Sequence, residues 1–273
     1  MKMSFNNRPV SSTRTFGAIA LACAALALAA PAFCGPIQDA ARKGDLKKVK
    51  ELLASDSKLV NDIDKNGDTA LHQAALHGQL AVAQALIDAG ANVNAKNHYP
   101  PFVPDDIGKQ FATSNHQDPI ILLHSQASNT TNELNTQGVT ANDLKEGYTP
   151  LDLAEFAINH NKMVQLLVAH GADVNARAAS GATPLFWAVM RDQKDDVKFL
   201  LDHGANPNIP AASGDTILDC AIRLGFQSLV GPLVEKGADV NAQDANQMRP
   251  LAYAMQLNED TAVSELKKHG AHQ

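Results

Sequence analysis

The pentapeptide GADVN occupies residues 171–175 and recurs unchanged at residues 237–241, with near-copies GANVN at 90–94 and GANPN at 204–208. Gly171, Gly204 and Gly237 are spaced 33 residues apart. A fixed period of that length marks stacked supersecondary units, each too small to bury its own apolar face, and not one folded-back core. A second motif runs upstream in register: GDTALHQAALHG (67–78), GYTPLDLAEFA (147–157), GATPLFWAVM (181–190), GDTILDCAIRLG (214–225) and a degraded QMRPLAYAM (247–255).

The residue types explain the pair of motifs. Thr149, Thr183 and Thr216 stand where a hydroxyl caps the free amides of a first helix, and Pro150, Pro184 and Pro250 follow where a missing N–H costs nothing. Leu71, Leu151, Leu185, Leu218 and Leu251 then face a core. Ala74, Ala154, Ala188 and Ala221 let neighbouring helices approach closely. A second helix carries apolar residues at helical spacing, as in Val82, Leu86 and Ile87 or Val197, Leu200 and Leu201. The glycine of each GA pair ends that helix, because the left-handed conformation at its end suits a residue without Cβ.

These two motifs, G-x-T-P-L-H-x-A-A and then G-A-D-V-N, resemble the ankyrin-repeat family over roughly residues 36–97 and 145–273. The resemblance implies an all-α solenoid of stacked helix-turn-helix units with β-hairpin fingers. Residues 37–53 lack the Thr-Pro start, keep Ala40, Ala41 and Gly44 in register, and read as the N-terminal cap. The last copy, ending KHGAHQ, reads as the C-terminal cap, since solenoids need polar ends for solubility.

One junction breaks the period. Asn94 and Gly147 are 53 residues apart, against 6 at the junctions after Asn175, Asn208 and Asn241. Residues 98–144 therefore form an insert, either a long finger loop or a decayed repeat built on Pro119 and Gly138. Loops this long inside a compact domain are usually functional or disordered.

The first 32 residues stand apart. Lys2, Arg8 and Arg14 precede the uncharged run FGAIALACAALALAA (16–30) and a small-x-small Ala30-Pro31-Ala32. That is the layout of a secretory signal peptide, and the run is shorter than the roughly 20 residues a membrane span needs. Its removal takes three of 23 basic residues and none of 29 acidic ones, leaving a net charge of −9. An acidic chain without a basic run has no electrostatic attraction for nucleic acid or an anionic membrane. The expected location is periplasmic or secreted, and the expected state monomeric. Cys34 and Cys220 remain after cleavage. The repeat register sets them about four layers apart, beyond the Cα separation of about 7 Å that a disulfide allows, so no bridge is expected.

Chemistry-bearing patterns are sparse. His170, His203 and His269 precede GA pairs, with Lys236 in the same place, where a cationic or polar group suits a helix C-terminus. His72 reads as structural. No HExxH, CxxC or close carboxylate–histidine cluster is evident, and neither metal nor cofactor is expected. In the insert, His116, Asp118, His124 and Ser125 offer an enzyme site without a nucleophile elbow or phosphate loop to support it.

Ankyrin-like proteins bind other proteins with a concave face of finger tips and inner-helix surface. Carried over by register, that face comprises finger positions Asp68, Tyr148 and Asp215 and inner-helix positions Leu76, His77, Phe156, Met190, Arg191, Arg223 and Leu224. Aromatic residues, Met and Arg suit an interface centre, and the two arginines are hard to bury. The resemblance thus implies a non-enzymatic module recognising another protein, or alternatively an exported immunity or inhibitor protein that neutralises a toxin enzyme.

Overall fold

A computed structural model describes residues 35–98, 147–157, 159–178, 181–211 and 214–272. The leader (1–32), Cys34 and all of the insert beyond His98 lie outside the described residues.

Twelve α-helices pair into six layers among the described residues. The first layer holds α1 (Pro36–Lys43) and α2 (Leu46–Ser55), followed by a 3-10 helix (Ser57–Asn61). The second holds α3 (Ala70–Leu76) and α4 (Leu80–Asp88), and the third α5 (Pro150–Ala154) and α6 (His160–Ala169). The fourth holds α7 (Pro184–Met190) and α8 (Lys194–Asp202), and the fifth α9 (Ile217–Arg223) and α10 (Gln227–Glu235). The sixth holds α11 (Pro250–Gln256) and α12 (Asp260–Lys268). Odd-numbered helices pack on one another in an inner row, and even-numbered helices in an outer row.

The threonines cap as their positions require: Thr69, Thr149, Thr183 and Thr216 accept from the backbone amide three residues on. Arg249 replaces the threonine in the last copy, and no side chain caps α11. Leu71, Leu151, Leu185, Leu218 and Leu251 are all buried, as are Ala74, Ala154, Ala188 and Ala221 beside them. Each buried leucine contributes about 1.5–3 kcal/mol, so the core is a row of equivalent slots. Cys220 is a buried free thiol in that row.

The repeated pentapeptide has a role for nearly every letter. Gly171 (φ 86°) ends α6 in the left-handed region, and its amide and that of Ala172 return to Val168 O and Leu167 O at 3.0 Å. Asp173 Oδ1 accepts from Asn175 N at 2.9 Å, fixing the turn. Asn175 then clamps the next layer: its Nδ2 donates to Gly204 O at 3.0 Å, and its Oδ1 accepts from Asn206 N at 2.7 Å. Asn61, Asn94, Asn208 and Asn241 make the same pair of hydrogen bonds to the layer after theirs. An asparagine ladder thus runs the length of the stack. Asn175→Asp removes the donor while keeping size, and is expected to cost about 1–2 kcal/mol in urea unfolding. An equal loss is expected at Asn208, whose bonds match.

The fingers are tight turns, and no residue is assigned to a strand among those described. Each closes with two hydrogen bonds, for instance Ala178 N to Ala182 O (2.9 Å) and Gly181 N to Ala178 O (2.8 Å). That pairing is too short to extend into a ladder. The finger before the third layer closes in the same way, through Asn97 N to Tyr148 O (3.1 Å) and Gly147 N to Asn97 O (3.0 Å). A Cβ on Gly147 would sit 2.1 Å from Asn97 Oδ1, so only glycine fits there. The chain therefore leaves and re-enters the stack at one finger tip. His72 Nε2 meets Tyr148 O at 3.0 Å, and Asn94 clamps Gly171 and Asp173. The second and third layers stack directly on each other.

Candidate functional site

The register places all ten expected face residues at finger positions or inner-helix ends, but the structure divides them. Asp68 (2% exposed), Tyr148 (7%) and Met190 (8%) are buried and withdrawn from the accessible surface. Asp68 accepts from Gln73 Nε2 at 2.9 Å and Asn97 Nδ2 at 2.8 Å, locking a finger to its own helix and to the next finger. Tyr148 lies under the next inner helix, its ring 5.9 Å from that of Trp187. The neighbouring layer covers these positions, which spacing along one repeat does not reveal.

The remaining seven, Leu76, His77, Phe156, Arg191, Asp215, Arg223 and Leu224, are part-exposed. Neither arginine is a free charge. Arg191 Cζ lies 5.0 Å from the Phe156 ring centroid, and Phe156 packs 5.5 Å from Trp187. Arg223 Nη1 donates to Asp215 Oδ1 at 2.9 Å, and its Cζ lies 5.4 Å over the Tyr253 ring. Tyr253 in turn donates to Asp244 Oδ2 at 2.5 Å. His77 Nδ1 lies 3.0 Å from Gln73 O, and burial lowers its pKa. The surface is therefore a preset row of aromatic, aliphatic and guanidinium groups, held by bonds within the chain. Met255 (43%) and Leu257 (45%) extend it over the last layer. The counterparts of Met255 in other layers, Ala75, Val189 and Ile222, are buried; α11 is the last inner helix among the described residues.

His170, His203 and His269 fall at helix C-termini, as their positions suggest. His72 is buried within a capping box. Its equivalents Asp152 and Asp219 are buried too, each with one carboxylate oxygen lacking a partner. Burial pushes both carboxyls up to about 7, against the hydrogen bonds from Thr149 and Thr216. Unfolded, they titrate near 3.9. Between about pH 4 and 7 the native state then holds more protons than the unfolded state, so these groups make stability fall as pH rises through that window. Each contributes at most about 1.4 kcal/mol per pH unit. Chemical denaturation of Asp152→Asn at stepped pH should show a shallower decline than the unaltered chain.

The expectation of no close carboxylate–histidine cluster fails. Glu155, His160 and Asp196 each offer a ligand atom, and these atoms lie within 4.8 Å of one another. Glu155 follows α5, His160 opens α6, and Asp196 lies on α8 of the next layer. Glu155 and Asp196 are buried. Neither Glu155 oxygen has a hydrogen-bond partner. Asp196 Oδ1 accepts from Asn161 Nδ2 at 2.8 Å, and its Oδ2 bonds His160 Nδ1. Burial foremost, then the charges of Asp196 and Asp152, raises the Glu155 pKa well above the usual carboxylate range, with Arg191 opposing. His160 and Asp196 are 36 positions apart in the chain, so local motif reading passes over them.

Stacked two-helix layers with a preset face define a repeat solenoid, a class whose members bind other proteins. The chain belongs to the ankyrin-repeat family: the profile described as ankyrin repeats (3 copies) matches residues 16–97 and 157–244, more than half its length. It is 32% identical over 174 residues to the putative ankyrin repeat protein YahD of Escherichia coli K12, covering 54% of this chain and 84% of that protein. It is 46% identical over 56 residues to palmitoyltransferase akr1 of Schizosaccharomyces pombe, but spans only 9% of that longer protein. Among solved structures, an ankyrin repeat domain from Acinetobacter baumannii AYE superposes with a TM-score of 0.64 at 26% identity, over 87% of this chain and 98% of that one.

Proposed function

We propose that the protein is an exported, non-enzymatic binding module that recognises a periplasmic or secreted protein through the face formed by its fingers and inner helices. Ankyrin repeats are protein-interaction modules, and the fold is typically without enzymatic activity. The observation that carries the reading is the part-exposed row Leu76, Phe156, Arg191, Arg223 and Leu224, extended by Met255 and Leu257. Aromatic, Met and Arg side chains are enriched at interface centres, and rigid anchors lose little entropy on binding. Export rests on the charged start and apolar run of residues 1–32. No helix among the described residues is long and apolar enough to cross a membrane.

The test is capture from periplasmic extract by the unaltered chain, then reconstitution with the captured protein in pure form. Leu76→Asp with Leu224→Asp should weaken that complex at least 100-fold while helical circular dichroism is unchanged. A complex indifferent to this pair, yet lost on charge reversal at Lys162 and Lys198 of the outer helices, would assign recognition to the opposite face.

A further inference from the structure

The third layer is one residue longer than its fellows. Leu151 precedes Gly171 by 20 residues, whereas Leu71–Gly90, Leu185–Gly204, Leu218–Gly237 and Leu251–Gly270 are each 19 apart. Counting forward from the core leucine puts Glu155 in the slot that Ala75, Val189 and Ile222 fill in other layers, all buried. Counting back from the helix-ending glycine puts Asp196 in the slot of Val82, Met163, Leu229 and Ala262, again all buried. Two carboxylates thus stand in core positions that are apolar elsewhere in the stack, and they face each other across a layer boundary. A buried carboxylate is tolerated when it is paired or coordinates a metal. Asp196 has partners; neither oxygen of Glu155 does.

We propose that Glu155, His160 and Asp196 bind a divalent transition cation of the zinc class, pinning the third layer to the fourth. Two carboxylates and one imidazole are a nitrogen and oxygen set suited to such ions, and a 2+ charge neutralises both carboxylates. Ligands at about 2.1 Å from a tetrahedral zinc lie about 3.4 Å apart. The donor atoms are already within 4.8 Å of one another, so small side-chain rotations close the site. Asn161 holds Asp196 through its other oxygen at 2.8 Å, the supporting bond that ligating carboxylates need. The His160 side chain is 32% exposed, which gives the ion a route in and leaves room for water as a further ligand. The site borders the proposed face, since Glu155 precedes Phe156 and Arg191 acts on its charge, but none of Glu155, His160 and Asp196 belongs to the row Leu76, Phe156, Arg191, Arg223 and Leu224, so either reading can fail alone.

The purified full chain, stripped with EDTA, is titrated with Co(II) and then Zn(II), read by visible absorption and thermal unfolding. One Co(II) per chain should bind with ligand-field bands that Zn(II) abolishes, and the melting temperature should rise with Zn(II). His160→Gln installs the residue that Gln79 and Gln193 supply at the same register, so the fold is expected to survive; it should weaken binding at least 100-fold. Asp196→Val, matching Val82, should do the same, while His203→Gln should leave affinity unchanged. No stoichiometric uptake by the unaltered chain, full affinity in His160→Gln, or loss of binding in His203→Gln would each overturn the assignment.

Discussion

Replacing His72 by alanine is expected to destabilise the protein by about 4 kcal/mol. His72 is fully buried. Its Nδ1 accepts from Thr69 N at 3.1 Å and lies 2.9 Å from the Thr69 hydroxyl, while Nε2 meets Tyr148 O at 3.0 Å. A carbonyl only accepts, so Nε2 carries the proton and the ring is neutral; burial lowers its pKa to about 4. One side chain therefore completes a helix cap and ties the second layer to the third. Alanine leaves a cavity and strands buried polar groups that water cannot easily reach. Urea unfolding followed at 222 nm checks this, with a lowered midpoint expected. The converse change, Asp152→His, supplies a ring that can reach the carbonyl of Ala182 in the following layer, and is expected to raise the midpoint.

Excising residues 98–146 and joining Asn97 to Gly147 through Ala-Ser, the pair at 179–180 in the next finger, is expected to stabilise the protein. The two hydrogen bonds that close this finger have the distances of the shorter ones. The second and third layers already share the His72–Tyr148 bond and the Asn94 clamp. Shortening the connection between Asn97 and Gly147 from 49 residues to 2 halves its length between four and five times, and each halving recovers about 0.6 kcal/mol of closure entropy. The expected gain is about 2–3 kcal/mol. A cooperative melt at higher temperature checks it; a broad or split transition would mean that the excised segment carries part of the stack's cohesion.

Much of the fold was legible because every layer solves the same local problems. Thr149, Thr183 and Thr216 announce a cap, the prolines a first turn, and the GA glycines a left-handed stop, and each signal lies within one repeat. What escaped reading depends on two layers at once. The terminal asparagine of the pentapeptide looks like a turn residue, yet Asn175 serves chiefly as a clamp on residues 204–206. Asp68, Tyr148 and Met190 carry good interface chemistry and are nonetheless covered by the adjoining layer. Arg191 and Arg223, hard to bury as charges, find Phe156, Tyr253 and Asp215 within their own chain. The Glu155–His160–Asp196 cluster had a signal, the extra residue before Gly171 together with acids in slots elsewhere apolar. It becomes readable only when all copies are aligned on both the leucine and the glycine.

A continuous binding face requires a continuous stack, and the junction at residues 98–146 is where that continuity is most exposed to test. Ala81, Lys162 and Asp195 are exposed residues at the same register of α4, α6 and α8. Nitroxides placed pairwise at 81 and 162, and at 162 and 195, in a chain with Cys34 changed to serine, report the two separations by electron paramagnetic resonance. Equal distances for the two pairs, each one inter-layer step of about 10 Å between helix axes, are the expected result. A separation for 81–162 about twice that for 162–195 would mean that another layer stands between them, and would contradict the account.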